Sequence, residues 1–255
     1  MGSQIGGFLP SFFERNVTHH ESHRELEPGR NAESALQSAA HQLGRTASTG
    51  GGAPASQRRV LQGRQERDLE IWAKANGGWL SAAEALEGFV KGGEEHRTLR
   101  GGQIYHKATY SGRYGFTVIA ANGQPTLTNA LPGEYLSRLL LANEIFGDDI
   151  RLEGVTRESD GLVILTSQPT VVGTACDREE MIGYFEARHF ALIPDFSAGY
   201  RGSLSFYRDL DQIAVFDAHP ANFLRDRSGI ILPIDAVLLR ADDELAGLLE
   251  YLLDP

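Results

Sequence analysis

The sequence predicts an α+β fold in which antiparallel strand pairs are separated by single helices. Strand patterns occur at 96–99 and 103–109, joined by an Arg100-Gly101-Gly102 turn, and again at 150–155 and 162–166. Between these pairs, residues 132–147 carry the strongest helical pattern in the chain, because Pro132 suits a first turn and Gly147 suits a helix end. These observations together indicate a mixed fold that begins with an antiparallel sheet.

Length, charge and cysteine content limit the classes of protein to which this chain can belong. The chain has 255 residues, enough for one large or two small domains, and a formal net charge of −10 without a long basic run. A nucleic-acid partner is therefore not expected, because such surfaces need clustered Lys and Arg. Cys176 is the only cysteine, and no apolar run approaches the roughly 18–20 residues of a membrane span. We expect a soluble cytoplasmic protein with no membrane partner.

The first 57 residues are predicted to be a flexible or disordered N-terminal tail. Residues 45–56 are small, polar and rich in Gly, as in a linker, whereas residues 31–40 have a helix-forming composition. The histidines at 19, 20 and 23 have a helical spacing that could suit a metal, but no carboxylate or cysteine completes a ligand set. They are interpreted as solvated surface.

Residues 58–90 are predicted to form a helical N-terminal extension that supports the next domain. A helical pattern over 58–75 is ended by Asn76-Gly77-Gly78, and Ser81 is placed as the N-cap of a second, short helix.

Residues 91–168 hold the first group of candidate site residues. Gly92 and Gly93 precede the first strand, and a glycine pair allows main-chain amides to approach phosphates closely. Lys107 lies on the second strand, where the alternation of side chains does not decide which face is buried. Glu134 lies in the first turn of the 132–147 helix, where the helix dipole favours a carboxylate and from which it could also reach Lys107.

Residues 169–255 contain the acidic candidates. A helix is predicted at 177–188 with Asp177 as N-cap, short strands at 203–207 and 213–216, and a last helix from about 242 to 253. The second strand leads into Asp217, which is followed by Asn222 five residues later, and Asp235 lies thirteen residues beyond Asn222. Two short strands joined by the turn at 226–229 would bring Asn222 and Asp235 side by side.

This Asp-x-x-x-x-Asn loop with a later Asp is the spacing by which kinase-like phosphotransferases place a catalytic base and two metal ligands. Asp217 could accept a proton from a hydroxyl, and the oxygens of Asn222 and Asp235 suit Mg²⁺, which prefers hard oxygen ligands.

The order of these parts resembles a protein-kinase-like fold, in particular the kinase family found in bacterial and phage polyvalent proteins. The resemblance covers roughly 60–240. It rests on several short stretches rather than on one motif, namely 92–96, 105–109, 133–139, 143–154, 167–169, 217–223 and 233–235.

The resemblance implies a minimal two-lobed fold, with an antiparallel-sheet N-lobe at 91–168 and a reduced C-lobe at 169–255. It also implies an ATP-dependent kinase that phosphorylates a hydroxyl of a protein or small molecule with the help of Mg²⁺. Asp217 would be the base, and Lys107 would bind the α- and β-phosphates and pair with Glu134. Gly92 and Gly93 would cover the phosphates, Gln168 would face the adenine, and Asn222 and Asp235 would hold the metal.

The sequence departs from the kinase pattern in ways that limit the resemblance. There is no Gly-x-Gly-x-x-Gly, Asp217 is not preceded by His-Arg, and Asp235 is followed by Ala236-Val237 rather than Phe-Gly. Only about twenty residues follow Asp235, which leaves no room for an activation segment or a large helical lobe.

Two alternatives remain beside an active kinase. The chain could be a nucleotide-binding pseudokinase that acts as an interaction module. It could also be a metallohydrolase that uses Asp217 and His219 as an Asp-x-His ligand pair, although no histidine follows His219 to extend such a site.

Overall fold

The computed structural model describes residues 32–44 and 55–254. Within these ranges it contains helices and antiparallel sheets, so the predicted α+β class is confirmed. The helices are α1 Ala32–Gly44, α2 Ala55–Ala75, α3 Ala82–Ala85, α4 Pro132–Phe146, α5 Arg178–Glu186 and α6 Asp243–Leu253. None of these helices is long and apolar enough to cross a membrane.

Within the described residues the strands belong to four sheets. In chain order they are β1 Val90–Lys91, β2 His96–Gly101, β3 Ile104–Thr109, β4 Phe116–Ala121, β5 Gln124–Asn129, β6 Arg151–Glu158, β7 Gly161–Pro169, β8 Thr174–Ala175, β9 Ala191–Leu192, β10 Leu204–Arg208, β11 Ile213–Ala218, β12 Phe223–Arg225, β13 Ile231–Pro233 and β14 Val237–Arg240.

The largest sheet has the order β1-β2-β3-β7-β6, with antiparallel neighbours throughout. One face is covered by α1, α2 and α4, which form a core with the apolar side chains of β6 and β7. The other face is covered by the segment around α3, against which Ala108, Val163 and Leu165 pack. This two-sided burial explains why β7 is apolar along most of its length.

The face of β3 that the alternation left open is settled by the strand pairing. Ala108 points to the α3 side and is fully buried. Because successive side chains of a strand point to opposite faces, Lys107 lies on the other face, toward α4, as does its pairing partner Thr166 of β7. The ammonium group of Lys107 thus extends over the sheet on the side where the C-terminal half of the chain packs.

The predicted tail boundary at residue 57 is wrong for residues 32–44. Leu36, Ala39 and Leu43 of α1 are completely buried in the same core as Tyr135 and Leu136 of α4. The composition of residues 31–40 indicated a helix, but the Gly-rich stretch that follows suggested that this helix lies in a flexible tail, so its burial against α4 was missed. The histidines at 19, 20 and 23 and most of the predicted linker lie outside the described residues.

A second difference concerns the residues between β3 and α4, for which the sequence predicted no helix or strand. Strands β4 and β5 form an antiparallel hairpin here, with Asn122 and Gly123 at its turn in left-handed conformations. The hairpin packs on α6 and β14, and Val118 and Ala120 belong to the core of the C-terminal half. This hairpin therefore joins the residues assigned to the N-terminal lobe to those that follow residue 168.

The C-terminal half contains a four-stranded sheet of order β14-β11-β10-β9 and a small sheet of order β13-β12-β8. Strands β12 and β13 are the hairpin that the turn at 226–229 predicts. It is closed at its base by a hydrogen bond of 2.8 Å from the Ile234 amide to the Asn222 carbonyl. This closure places Asn222 beside Asp235, as the sequence indicated.

Candidate functional site

A cleft with a volume of about 1110 Å³ lies between the five-stranded sheet and the C-terminal sheets. From the first it is lined by Gly92, Gly93, Lys107 and Gln168, and from the second by Asp217, Asn222 and Asp235. Residues more than a hundred positions apart thus face one space. Seven of the eight residues that sequence reasoning selected lie at this cleft.

Asp217 lies near the end of β11 in a left-handed backbone conformation, with φ at 58°. Its carboxylate accepts a hydrogen bond of 2.5 Å from the main-chain amide of Tyr200. Gly199 makes that approach possible, because a Cβ at this position would overlap the Asp217 carboxylate. Burial raises the pKa of Asp217, and the hydrogen bond from Tyr200 opposes this rise. The carboxylate is therefore fixed in place, and its pKa is shifted upward, which suits a general base.

Asn222 is oriented by the loop that follows Asp217. Its side-chain nitrogen donates 3.0 Å to the main-chain carbonyl of Asp217 and 3.4 Å to that residue's carboxylate. Since the nitrogen is committed to Asp217, the amide oxygen of Asn222 remains as the group that can bind a cation.

Asp235 is held as a carboxylate by the charges around it. Burial alone would raise its pKa, but the positive charge of Lys107 leads several contributions that hold the pKa of Asp235 below its ordinary value. Arg138 contributes in the same direction. A deprotonated carboxylate inside a cleft, next to an amide oxygen, is a donor set that suits a hard divalent cation.

Lys107 reaches the same region from the opposite sheet. Its ammonium group donates a hydrogen bond of 3.0 Å to the carbonyl of Ile234, the residue before Asp235. The ammonium is thus tied to the segment that carries the acidic residues, although it comes from β3.

The glycine pair forms the turn between β1 and β2. The Gly92 amide donates to the His96 carbonyl at 3.1 Å, and a Cβ at Gly92 would come within 2.8 Å of that same oxygen. Gly93 has open space where a Cβ would be, and its carbonyl accepts from the Tyr110 hydroxyl at 3.0 Å. Gly92 is therefore required by close packing, and Gly93 leaves one wall of the cleft open.

The assignment of Glu134 to this site is wrong. Its carboxylate is bound by both terminal nitrogens of Arg58, at 2.6 and 2.9 Å, and also accepts from the Leu131 amide at the start of α4. It lines a different cavity, together with Arg58 and Leu131. The dipole and capping role that the first helical turn offers a carboxylate therefore prevails over a contact with Lys107.

One turn further along α4, Arg138 faces the cleft side and was not selected from the sequence. Its guanidinium binds the carboxylate of Glu95 with nitrogen–oxygen distances of 2.5 and 3.3 Å, and its side chain is only 5% exposed. This pair connects α4 to the turn that carries Gly92 and Gly93. A buried position in the middle of a mostly apolar helix is the signal that could have found Arg138.

His96 lies beside this pair and is almost completely buried. Burial lowers its pKa to about 3, and the charge of Asp235 acts in the opposite direction. Its Nε2 is 3.0 Å from the hydroxyl of Tyr135. His96 is therefore neutral at physiological pH and forms part of the polar wall beneath the cleft.

Glu95, His96 and Asp235 place ligand atoms within 4.8 Å of one another. Glu95 already carries the guanidinium of Arg138, so its charge is compensated without a metal. His219, the other partner of the Asp-x-His hypothesis, is 3.8 Å from Asp217 but does not belong to this group. Among the residues that the structure describes, the Asp-x-His pair thus gains no third ligand.

Comparison with models of known protein families identifies the family of this chain. Residues 62–241, well over half of the chain, match the family model described as Serine/Threonine/Tyrosine Kinase found in polyvalent proteins. No curated protein and no solved structure matches the chain. The matched range contains every residue of the cleft discussed above.

Proposed function

We propose an ATP-dependent phosphotransferase activity for this chain, which belongs to the family of serine/threonine/tyrosine kinases found in polyvalent proteins. The observation that carries the proposal is the convergence of Lys107, Asp217, Asn222 and Asp235 on one cleft from separate sheets. A cation, a partly buried carboxylate with a raised pKa and two hard oxygen donors are the groups that phosphoryl transfer requires.

In this proposal Asp217 accepts the proton of the acceptor hydroxyl while the oxygen of that hydroxyl bonds to the γ-phosphorus of ATP. The bond from that phosphorus to the bridging oxygen breaks, and ADP leaves. The Tyr200 amide holds the Asp217 carboxylate in place throughout. Lys107 balances the charge of the nucleotide phosphates, and most of the acceleration comes from positioning and from charge stabilisation.

Mg²⁺ would be held by the amide oxygen of Asn222 and the carboxylate of Asp235. These residues fit the ion because the Asn222 nitrogen is bound to Asp217 and because the surrounding cations keep Asp235 ionised. A bound Mg²⁺ supplies positive charge to the phosphate oxygens, and two protein ligands suffice because the ion keeps several waters.

The remaining cleft residues complete a two-lobed, kinase-like arrangement. In it, the five-stranded sheet with α4 corresponds to the N-lobe and the later sheets to a reduced C-lobe. Gly92 and Gly93 lie at the phosphate end, and Gln168 lies where the chain passes from β7 toward the C-terminal half. The acceptor is a hydroxyl of a protein or of a small molecule.

The test is transfer from γ-labelled ATP in the presence of Mg²⁺, measured as label on the protein itself and as release of labelled phosphate to water. Asp217→Asn should abolish both while leaving the affinity for ATP within about threefold, because the base contributes to the transition state rather than to binding. Asp254→Asn, at an exposed carboxylate outside the cleft, is the matched control and should behave as wild type.

Two other results would overturn the proposal in different ways. ATP that stabilises the protein against heat without any transfer would identify a nucleotide-binding pseudokinase. Transfer that survives Asp217→Asn unchanged would remove Asp217 from its role as base and show that the chemistry takes place elsewhere.

A further inference from the structure

Asp148 is a partly buried carboxylate that the proposed reaction does not use. It follows α4 in a loop that the sequence makes rigid. Gly147 ends the helix in a left-handed conformation, with φ at 71°, and Asp149 is also left-handed, with φ at 49°. The Asn143 side chain holds both the amide and the carbonyl of Ile150, at 2.7 and 2.8 Å.

The two neighbouring carboxylates of this loop have different environments. Asp149 is exposed and pairs with Arg151, at 2.9 and 3.0 Å, on the outside of the molecule. Asp148 instead lines a cavity of about 30 Å³ beneath the cleft, together with Lys107 and Gln168. A cavity of this size has room for about one water molecule. Asp148 and Lys107 therefore line the same small cavity. The structure shows no direct ion pair between these two residues, so a single water in this cavity would bridge the two charges.

The other carboxylates near Lys107 have different partners. Glu134 is bound to Arg58 and Glu95 to Arg138. Asp235 also interacts with the charge of Lys107, but under the proposed function it would hold Mg²⁺, and its charge would then be directed to the metal. In contrast, the positive charge of Lys107 lowers the pKa of Asp148.

We propose that Asp148 is the positioning residue for Lys107, and that it holds the ammonium where the phosphates of ATP bind. This inference rests on the proposed function for its nucleotide, but the pairing itself concerns the protein alone. It replaces Glu134, which the sequence assigned to this role.

Electrostatics supports the pairing. Burial raises the pKa of Asp148 to about 7, and the positive charge of Lys107 opposes this rise. A carboxylate placed where ionisation is costly, opposite one specific cation and beneath a cleft, is typical of functional sites.

The first experiment is a double-mutant cycle on the affinity for Mg²⁺-ATP, with Asp148→Asn, Lys107→Met and the two combined. Each single change should weaken binding about tenfold, the size expected for a partly buried charge contact. The double variant should be no weaker than Lys107→Met alone, because Asp148 acts only through Lys107. Effects that multiply would overturn the proposal. Asp149→Asn is the matched control and should bind as wild type does.

The second experiment needs no nucleotide. Acetic anhydride at trace level acylates neutral amines, and mass spectrometry gives the rate at Lys107. Asp148→Asn should raise this rate at least about threefold, because a nearby carboxylate favours the unreactive ammonium form. Asp149→Asn should leave it unchanged. An unchanged rate in Asp148→Asn would disprove the pairing whether or not the protein binds ATP. A raised rate in a protein that does not bind ATP would support the pairing and count against the proposed function alone.

Discussion

The side-chain amide of Asn222 donates a hydrogen bond of 3.0 Å to the main-chain carbonyl of Asp217. This single contact links the proposed base to a proposed metal ligand. It fixes the loop between them, which begins with the left-handed Asp217, and it leaves the Asn222 oxygen directed away from Asp217. The geometry of the base and the affinity for Mg²⁺ should therefore change together.

Asn222→Ala should lower the rate of phosphoryl transfer by about 10- to 100-fold and raise the Mg²⁺ concentration needed for half-maximal rate, because a ligand and a loop contact are lost together. A titration of the transfer rate with Mg²⁺ measures both quantities.

Asn76→Ala is the control for this change. The Asn76 amide also donates to a main-chain carbonyl, that of Trp72 at 2.8 Å, but at an exposed helix end away from the cleft. Its Mg²⁺ dependence should match that of wild type. If Asn222→Ala also had the wild-type Mg²⁺ dependence, Asn222 would not be a metal ligand.

Loss of the ion pair between Arg58 and Glu134 should lower the stability of the fold without changing nucleotide binding. Arg58 has only 11% of its side chain exposed, so Glu134→Ala leaves a largely buried guanidinium without its carboxylate. We expect the free energy of unfolding to fall by about 2–4 kcal/mol. The dissociation constant for ATP should stay within about twofold, since the pair lies outside the cleft. Urea denaturation and nucleotide titration measure the two effects.

Lys74→Ala is the control, because it removes an ion pair that is exposed rather than buried. Lys74 pairs with Glu70 at 2.5 Å, but its side chain is 54% exposed, so its loss should cost less than about 1 kcal/mol. A large loss of ATP affinity in Glu134→Ala, beyond what its lower stability explains, would restore Glu134 to the site.

Features with local signals could be predicted from the sequence. Helix α4 begins at Pro132 and ends before Gly147, as the residue types indicate. Helix α5 has the predicted N-cap Asp177, whose carboxylate accepts a hydrogen bond of 2.9 Å from the Glu180 amide. The hairpin that returns Asn222 to Asp235 is fixed by its own turn, where the Asp226 carboxylate accepts from the Ser228 and Ile230 amides. Each of these depends on contacts within a few residues.

The errors involve partners that are distant in the sequence. Glu134 was assigned to Lys107, but its partner Arg58 lies 76 positions away, in a helix that the sequence placed outside the catalytic part. Asp148 and Asp149 are chemically identical in the sequence, and only the fold of the loop turns one inward. Local patterns cannot decide between possible partners, because the choice depends on how the helices pack on the sheet.

The packing of α1 yields a prediction about stability. Leu43 of α1 is completely buried in the core that also contains side chains of α4. Leu43→Ala should lower the free energy of unfolding by about 2–5 kcal/mol, the usual cost of removing a buried leucine side chain. Val60→Ala, at a residue that is 72% exposed, should change it by less than about 0.5 kcal/mol. Equal effects of the two changes in urea denaturation would mean that α1 does not belong to the core.

The raised pKa of Asp148 predicts a dependence of stability on pH. The carboxyl of a free Asp has a pKa of 3.8, and burial raises that of Asp148 to about 7. Between these values the folded protein keeps a proton that the unfolded chain has lost. The contribution of this group to stability therefore falls as the pH rises through that window, and it is constant above about pH 8.

Asp148→Asn removes this titration while keeping the size and polarity of the side chain. The variant should match wild type near pH 4 and become more stable than wild type by on the order of 2–4 kcal/mol at pH 8. Urea denaturation from pH 4 to pH 8 measures the difference, and Asp149→Asn, at the exposed neighbour, should follow the wild-type curve. Parallel curves for Asp148→Asn and wild type would show that ionisation of this carboxylate does not lower the free energy of unfolding. A variant that gains stability and loses affinity for ATP would show that the folded protein tolerates a destabilising charge because the charge positions Lys107.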